Sequence, residues 1–194
     1  AMMTRDRINE LLQKGTPPFV TGGISYGGFI QGYNAFVVSA TAKPDQDDVA
    51  FKAIYTEAQR IFQNGFTLGE LERTKSNYLT SMENRYKQRD KISNDEYAMD
   101  FKNNYIDSEP LTSIDFDWEF TQKILPTISV EEVSAKAKTW FTPENRVIVV
   151  RGPEKPEAKH LSKEQALSII SEIENSKIEP YVDQAVSSNL IKQE

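Results

Sequence analysis

The clearest structural signal in this chain is the stretch Gly65-Phe66-Thr67-Leu68-Gly69-Glu70-Leu71-Glu72-Arg73-Thr74-Lys75. Its first glycine can adopt the left-handed backbone conformation that ends a preceding helix. Thr67 is then placed to cap the next helix, and Glu70, three residues later, can reach back to the cap as a capping box. Phe66 precedes the cap and can pack against Leu71 as a hydrophobic staple. The stretch therefore predicts a tight joint between two helices.

The composition of the 194 residues is that of a folded protein with a charged surface, since 38% are hydrophobic, 10% aromatic and 27% charged. Acidic residues outnumber basic ones by 29 to 23 without any cluster of Lys or Arg. That balance argues against nucleic acid or an anionic membrane as partner, because phosphates attract clustered positive charge. No apolar run approaches the ~20 residues that span a bilayer, and residues 1–5 lack the apolar core of a signal peptide. The absence of cysteine excludes disulfides and thiolate metal sites.

Capping signals and apolar periodicity predict seven helices. They cover about 4–14, 44–63, 67–88, 93–106, 113–125, 129–141 and 162–175. The helix that begins near Thr67 is expected to bury a stripe made of Leu68, Leu71, Tyr78, Leu79 and Met82. In the following helix Tyr97, Phe101 and Tyr105 repeat at helical spacing, which is more typical of a core face than of a recognition surface.

Three strands are predicted, over about 20–28, 35–42 and 146–151. A Gly-rich turn joins the first two, and the third is a continuous β-branched run of the kind found inside sheets. The fold class is therefore α+β, an antiparallel sheet covered on one side by several helices. Because so thin a sheet has edges that proteins normally pair or cover, further strands are expected upstream of this sequence.

A linker pattern begins at Gly152-Pro153, where prolines at 153 and 156 are interleaved with lysines and glutamates. We therefore expect one domain over residues 1–153, lacking its upstream strands, and an interdomain linker with a short helix over residues 154–194. Residues 177–194 have no strong pattern and are expected to tether the domain to something else.

The residues that hydrolytic chemistry commonly needs are missing. Zinc peptidases use two histidines on one metal, a third ligand and a carboxylate that activates water, but the only histidine is His160, in the predicted linker. His160 and Glu164 could bind a metal weakly, although a solvated surface pair explains so short a motif far better. Without cysteine or a second histidine, Ser/His and Cys/His catalysis also lack a base. We expect neither catalytic residues nor metal ligands in this chain.

Four segments resemble, in order, the pitrilysin/insulinase family of zinc metallopeptidases. Gly65 to Lys75 is similar to the family's Gly-Phe-Thr-x-x-Glu-Leu-Glu-x-x-Lys. Arg7-Ile8-Asn9-Glu10-Leu11 looks like the family's helix before a hairpin, and residues 125–133 look like one of its helix starts. Residues 145–153 resemble its closing strand before an interdomain linker. The match covers about residues 4–153.

The resemblance implies a half or partial metallopeptidase domain, similar to that of the mitochondrial processing peptidase, and one without catalytic residues. The family's His-x-x-Glu-His motif is absent. Leu12 and Phe19 stand where family members often have an Arg and a Tyr that steady the substrate, and neither side chain can donate a hydrogen bond. The chain is most similar to the second of four domains in long bacterial members. That similarity implies zinc in the parent's catalytic domain, the other parent domains as partners, and a periplasmic or otherwise exported parent.

Residues 35–41 could guide a peptide along the edge of the sheet by β-augmentation, which makes Phe36 and Val38 the candidate substrate-binding residues. The function we expect is that of a non-catalytic domain of a zinc-dependent metallopeptidase. It would form part of the closed chamber that binds peptide substrate opposite the metal-bearing domain. One alternative is a structural or interaction module from a family member that has lost peptidase activity, and another is an unrelated α+β domain.

Overall fold

The computed structural model describes residues 1–30, 32–142, 144–154 and 160–183. The strands are β1 (Thr21–Ile30) and β2 (Tyr33–Thr41). The helices are α1 (Met2–Leu12), α2 (Asp47–Asn64), α3 (Leu68–Lys87), α4 (Asn94–Asp107), α5 (Ile114–Ile124), α6 (Val130–Lys138) and α7 (Lys163–Glu174). The α+β class, the seven predicted helices and the first two predicted strands are confirmed.

Local capping explains where the helices begin. In α3 the predicted capping box is present, because Thr67 Oγ1 accepts a hydrogen bond from the Glu70 amide at 3.2 Å and Glu70 Oε2 accepts one from the Thr67 amide at 2.7 Å. The same reciprocal pair begins α6 at Ser129 and α7 at Ser162. Gly65 ends α2 with a φ of 72°, a conformation that a residue with a side chain rarely adopts.

The two strands form an antiparallel hairpin in which Ile24 pairs with Val38 and Tyr26 pairs with Phe36. The register shifts near the turn, between Gly28 and Ile30. Helices α1 and α2 pack on the hairpin. The arrangement of an antiparallel sheet under helices is as predicted.

The main core lies between the hairpin, α1, α2, the start of α3 and α6. Its buried residues are Met3, Ile8, Phe19, Ile24, Ala50, Ile54, Ala58, Ile61, Phe66, Leu71 and Ala137. Both members of the predicted hydrophobic staple, Phe66 and Leu71, belong to it.

A second apolar cluster joins α7 to α2. It consists of Tyr55, Ile170, Ile173 and Ile178, with Phe51, Phe141 and Ile169 packed at its edge. The described residues after 160 therefore lie against the helices of the domain. The boundary between residues 153 and 154 stays a prediction.

The predicted third strand is wrong. Residues 146–151 form no strand, and Val147 and Val149 are 86% and 64% exposed. A β-branched run favours an extended backbone, but a strand also needs a neighbour to complete its hydrogen bonds. In the part of the chain that the structure describes, β1 and β2 pair only with each other, so this run has no ladder to join.

The predicted buried stripe of α3 is wrong except at its start. Leu71 is buried, whereas Leu68, Tyr78 and Leu79 are exposed and Met82 is half-buried. Only the first turn of α3 reaches the main core, and the rest of the helix extends beyond it. Periodicity identified the apolar face correctly, but burial also needs a second element to cover that face.

The predicted core face of α4 is also exposed. None of its residues is buried, and Tyr97, Phe101 and Tyr105 are 48%, 62% and 89% exposed. The helix is held by its cap, since Ser93 Oγ accepts a hydrogen bond from the Glu96 amide. Its aromatic face is therefore available to a partner.

Candidate functional site

The two candidate substrate-binding residues lie on the helix-facing side of the hairpin. The Phe36 ring packs near Trp140 and Phe141, with centroids 6.4 and 5.9 Å away. Val38 is half-buried against the main core. These two side chains hold β2 against the helices, so what β2 can offer a ligand is its main-chain edge and its other face.

The other face of the hairpin is open and uncharged. Side chains alternate between the two faces of a strand, and the cross-strand pairs on the outer face are set by the register. Their members are all small or β-branched: Thr21, Gly23, Ser25, Gly27, Ala35, Val37, Ser39 and Thr41. An extended peptide could approach this surface, or add to the free edge of β2, without displacing a charged group.

Trp140 supports the hairpin from beneath. Its ring stacks on Tyr26, with centroids 4.9 Å apart and planes at 4°. A shallow depression of about 310 Å³ beside it is lined by Ile128, Glu132, Val133, Lys136 and Trp140. Hydrogen bonds from Ser129, at the cap of α6, hold the pKa of Glu132 below its usual value. Glu132 therefore serves as part of the capping box of α6.

Leu12 and Phe19, the positions aligned with the family's Arg and Tyr, pack in the main core. Phe19 is fully buried, and it packs so closely on Gly22 that a Cβ there would be 2.8 Å from Phe19 Cε2. Leu12 is half-buried against the same core. Both residues contribute packing beneath the hairpin.

A buried arginine joins α1 to the joint between α2 and α3. Arg7 Nε and Nη2 donate to the two carboxylate oxygens of Glu70 at 2.5 and 2.8 Å. Its Nη1 donates to Glu57 Oε1 at 3.2 Å, and Nη2 also donates to the Gly65 carbonyl at 2.9 Å. The carboxylate that caps α3 is therefore the same group that neutralises Arg7.

The guanidinium of Arg7 is also covered by two aromatic rings. Its central carbon is 5.0 Å from the ring centroid of Phe66 and 4.4 Å from that of Tyr181, which is within the range of cation–π attraction. Burial alone would lower the pKa of Arg7, but the hydrogen bonds and charges of Glu70 and Glu57 raise it above its usual value. Arg7 therefore stays charged and acts as a structural cation.

The sequence analysis missed this ion pair, although one signal was available. Arg7 lies on the buried face of α1 together with Met3, Thr4 and Ile8. An arginine on an apolar helix face must find a carboxylate or leave the core. The sequence alone does not say which carboxylate, because Glu70 is 63 residues away.

A second polar cluster fastens α7 and the segment after Asn145 to α2. Tyr55 Oη donates to Glu174 Oε1 at 2.6 Å, and Arg146 Nη1 donates to Tyr55 Oη at 2.8 Å and pairs with Glu174. Burial, reinforced by the bond to Glu174, raises the pKa of Tyr55. Partial burial alone would raise the pKa of Glu174, but the bonds from Tyr55 and Arg146 hold it below its usual value.

His160 contacts the start of α2. Its Nδ1 is 3.5 Å from Asp47 Oδ2 and its Nε2 is 3.0 Å from the Pro153 carbonyl oxygen. The hydrogen bond with Pro153, followed by that with Asp47, raises the pKa of His160. No group of three or more His, Cys, Asp or Glu among residues 1–30, 32–142, 144–154 and 160–183 is arranged to hold a metal ion. Nor does any helix within those ranges have both the length and the hydropathy to cross a membrane.

The hairpin beneath α1, α2 and α6, with its capped joint between α2 and α3, defines an α+β domain fold found in insulinase-family proteases. The resemblance predicted from the sequence motifs is confirmed at the level of the fold. One solved protein with this fold is the periplasmic protease PqqL from Escherichia coli. Its first half gives a TM-score of 0.75 at 18% identity, over 93% of this chain and 39% of that one.

The complete PqqL structure gives a TM-score of 0.77 at 20% identity, over 94% of this chain and 20% of that one. A predicted insulinase family protease from Yersinia pestis gives 0.65 at 10% identity, over 88% of this chain and 36% of that one. The chain thus spans between 20% and 39% of the length of these proteins. No family model and no curated protein matches its sequence.

Proposed function

We propose that this chain is a non-catalytic domain of a zinc-dependent metallopeptidase, and that it forms part of the closed chamber that binds peptide substrate. The observation that carries the proposal is the fold shared with insulinase-family protease halves, in a sequence with a single histidine and no His-x-x-Glu-His motif. In this proposal the zinc belongs to another domain of the same polypeptide. Because PqqL is a periplasmic protease, we extend the proposal to a periplasmic or otherwise exported location.

The surface proposed to face the peptide is the open side and free edge of the hairpin. Phe36 and Val38 position β2 from the helix side, while Val37 and Ser39 lie on the outer face. A peptide that pairs with the free edge of β2 would gain main-chain hydrogen bonds that do not depend on its sequence. The role proposed for Phe36 and Val38 is therefore to hold the strand that guides the peptide.

The surfaces proposed to face other domains are the apolar ones that no other described residue covers. They are the aromatic face of α4 and the run at 147–150, whose side chains are exposed. Exposed apolar surface of this extent is typical of interfaces. The chain spans only part of the length of the proteases that share its fold, which supports other domains of the same polypeptide as the cover.

The proposal is tested on the complete polypeptide that contains this domain. Its cleavage of a broad peptide set is measured with and without a zinc chelator, and zinc content is measured in parallel. Chelator-sensitive cleavage that is restored by zinc supports a peptidase parent. A folded, zinc-loaded protein that cleaves no member of the set overturns the proposal and leaves the scaffold or interaction module in its place.

A further inference from the structure

The segment that follows α7 crosses three helices of the domain. We define residues 176–183 as the strap. Gln63 and Asn64, in the last turn of α2, hold its main chain: Gln63 Oε1 accepts from the Ile178 amide at 2.9 Å, and Asn64 Nδ2 donates to the Ile178 carbonyl at 3.0 Å. Gln63 Nε2 also donates to the Ser176 carbonyl at 2.9 Å. The Ile178 side chain is buried in the cluster between α2 and α7.

The far end of the strap is held by charged side chains of α1 and α3. The ring of Tyr181 covers the guanidinium of Arg7 at 4.4 Å, and its hydroxyl donates to Glu10 Oε2 at 2.6 Å. Asp183 accepts from Arg73 Nη1 with both carboxylate oxygens, each at 2.7 Å. The space left between Arg7, Arg73 and Tyr181 is about 10 Å³, which is at most enough for a single water.

We propose that the strap is a latch, a segment that docks on a preformed surface of α1, α2 and α3 and opens without unfolding the rest of the domain. Two features separate a latch from an ordinary part of the core. The end that holds Tyr181 and Asp183 is fastened by half-exposed polar bonds, and Arg7 keeps its two carboxylate partners without the strap. The surface beneath the latch is therefore complete before the strap docks. This proposal is independent of zinc and of peptidase activity.

The latch is tested by hydrogen exchange in the complete polypeptide. The variants are Tyr181→Phe, which removes the bond to Glu10 and keeps the ring over Arg7, and Arg73→Gln, which removes the pair with Asp183. Half-exposed polar bonds of this kind contribute modestly to stability. We expect each variant to speed exchange at 176–183 about threefold and the double variant about tenfold, because the two bonds act at separate points.

Matched controls are Tyr105→Phe on the exposed face of α4 and Arg5→Gln on α1, which should leave exchange at 176–183 unchanged. Exchange in α2 should also be unchanged in every latch variant, because opening is local. Wild-type exchange at 176–183 as fast as in an unstructured peptide would overturn the proposal, as would equal exchange in wild type and double variant. Loss of protection in α2 together with the strap would also overturn it, because the segment would then unfold with the core.

Discussion

Arg7 and Glu70 are 63 residues apart in the sequence and are joined by two hydrogen bonds of 2.5 and 2.8 Å in the interior of the domain. Glu70 also completes the cap of α3 through the Thr67 amide. One carboxylate therefore serves both a local and a long-range contact. Its loss removes one of the two bonds of the α3 capping box and one of the two carboxylates that pair with Arg7.

We predict that Glu70→Gln is strongly destabilising. Breaking a buried ion pair by removing one partner costs about 3 to 5 kcal/mol, and Glu57, which Arg60 also engages, compensates the remaining charge only in part. The midpoint of urea unfolding, followed by a probe in α1–α3 of the complete protein, measures the effect. Glu72→Gln is the control, since Glu72 is exposed and its salt bridge among the described residues is a surface pair with Lys75. Equal midpoints for the two variants would contradict the role of the network.

Gly65 is predicted to tolerate no side chain. It has a φ of 72°, and a Cβ there would lie 2.5 Å from the Ser134 side chain. Its positive φ with a ψ of −146° is a backbone conformation nearly confined to glycine, which costs a residue with a side chain about 1 to 3 kcal/mol, and overpacking costs about 1 to 3 kcal/mol more. Gly65→Ala should therefore lower the free energy of unfolding by about 2 to 6 kcal/mol, measured by denaturant unfolding.

The double variant Gly65→Ala/Ser134→Gly separates these two costs. Ser134→Gly alone removes the bond from the Phe66 amide to Ser134 Oγ, so the double variant should lose less than the sum of the two single variants, because the contact is relieved while the backbone strain remains. Gly15→Ala is the matched control, since a Cβ at Gly15 would meet nothing within 4 Å. A Gly65→Ala variant as stable as Gly15→Ala would disprove the close approach.

The pair of Glu174 with Tyr55 and Arg146 predicts a pH-dependent attachment of α7. The pKa of Glu174 is below its ordinary value of 4.5 in the folded protein, so its contribution to stability is present above that ordinary value. It is lost as the pH falls through the lower, folded value. Melting temperatures of wild type and Glu174→Gln should differ at pH 7 and converge below pH 4.5. Glu119→Gln, at an exposed position of α5, controls for general charge effects. A difference in melting temperature between wild type and Glu174→Gln that persists undiminished at pH 3 would refute the role assigned to Glu174.

Substitutions on the outer face of the hairpin are expected to weaken peptide binding without changing the stability of the fold. Ser39→Lys places a long cation on the outer face of β2, so it should raise KM for peptides about five- to tenfold, equivalent to about 1 to 1.4 kcal/mol. Its melting temperature should be unchanged, because the site is exposed. Phe36→Ala and Val38→Ala should reduce peptide turnover by displacing the strand, with some loss of stability.

Ser168→Lys, on the exposed side of α7, is the control for added charge and should leave KM unchanged. Turnover that is unaffected by Phe36→Ala and Val38→Ala would remove these residues from the proposed role. A KM unaffected by Ser39→Lys would remove the outer face of β2 from the substrate path.

The helices were predictable because their starts are determined by residues three positions apart. Thr67 with Glu70 and Ser162 with Gln165 form in the structure the bonds that their spacing predicts. The hairpin was predictable for a similar reason, since its alternation and its Gly-rich turn are local. Local interactions of this kind leave a readable pattern in the sequence.

Contacts that depend on a distant partner were not predictable. The run at 146–151 has the composition of a strand, yet strand formation depends on a neighbour that composition cannot supply. The apolar faces of α3 and α4 were expected to be buried but are largely exposed. The spacing of apolar residues along a helix does not reveal which other element, if any, covers that face. The buried role of Arg7 was not predictable, since nothing near it in the sequence identifies Glu70 as its partner.

The strap also has a consequence for the order of events during synthesis. Tyr181 and Glu10 meet across 171 positions of sequence. A ribosome that adds about 5 to 20 residues per second needs roughly 10 to 35 s to cover that distance. Glu70 is added partway through that interval, and from then until Tyr181 is added Arg7 has its carboxylate but not its covering ring, and the binding surface for residues 176–183 is vacant. Chaperones that reach the chain in those seconds meet a surface that the finished protein no longer presents.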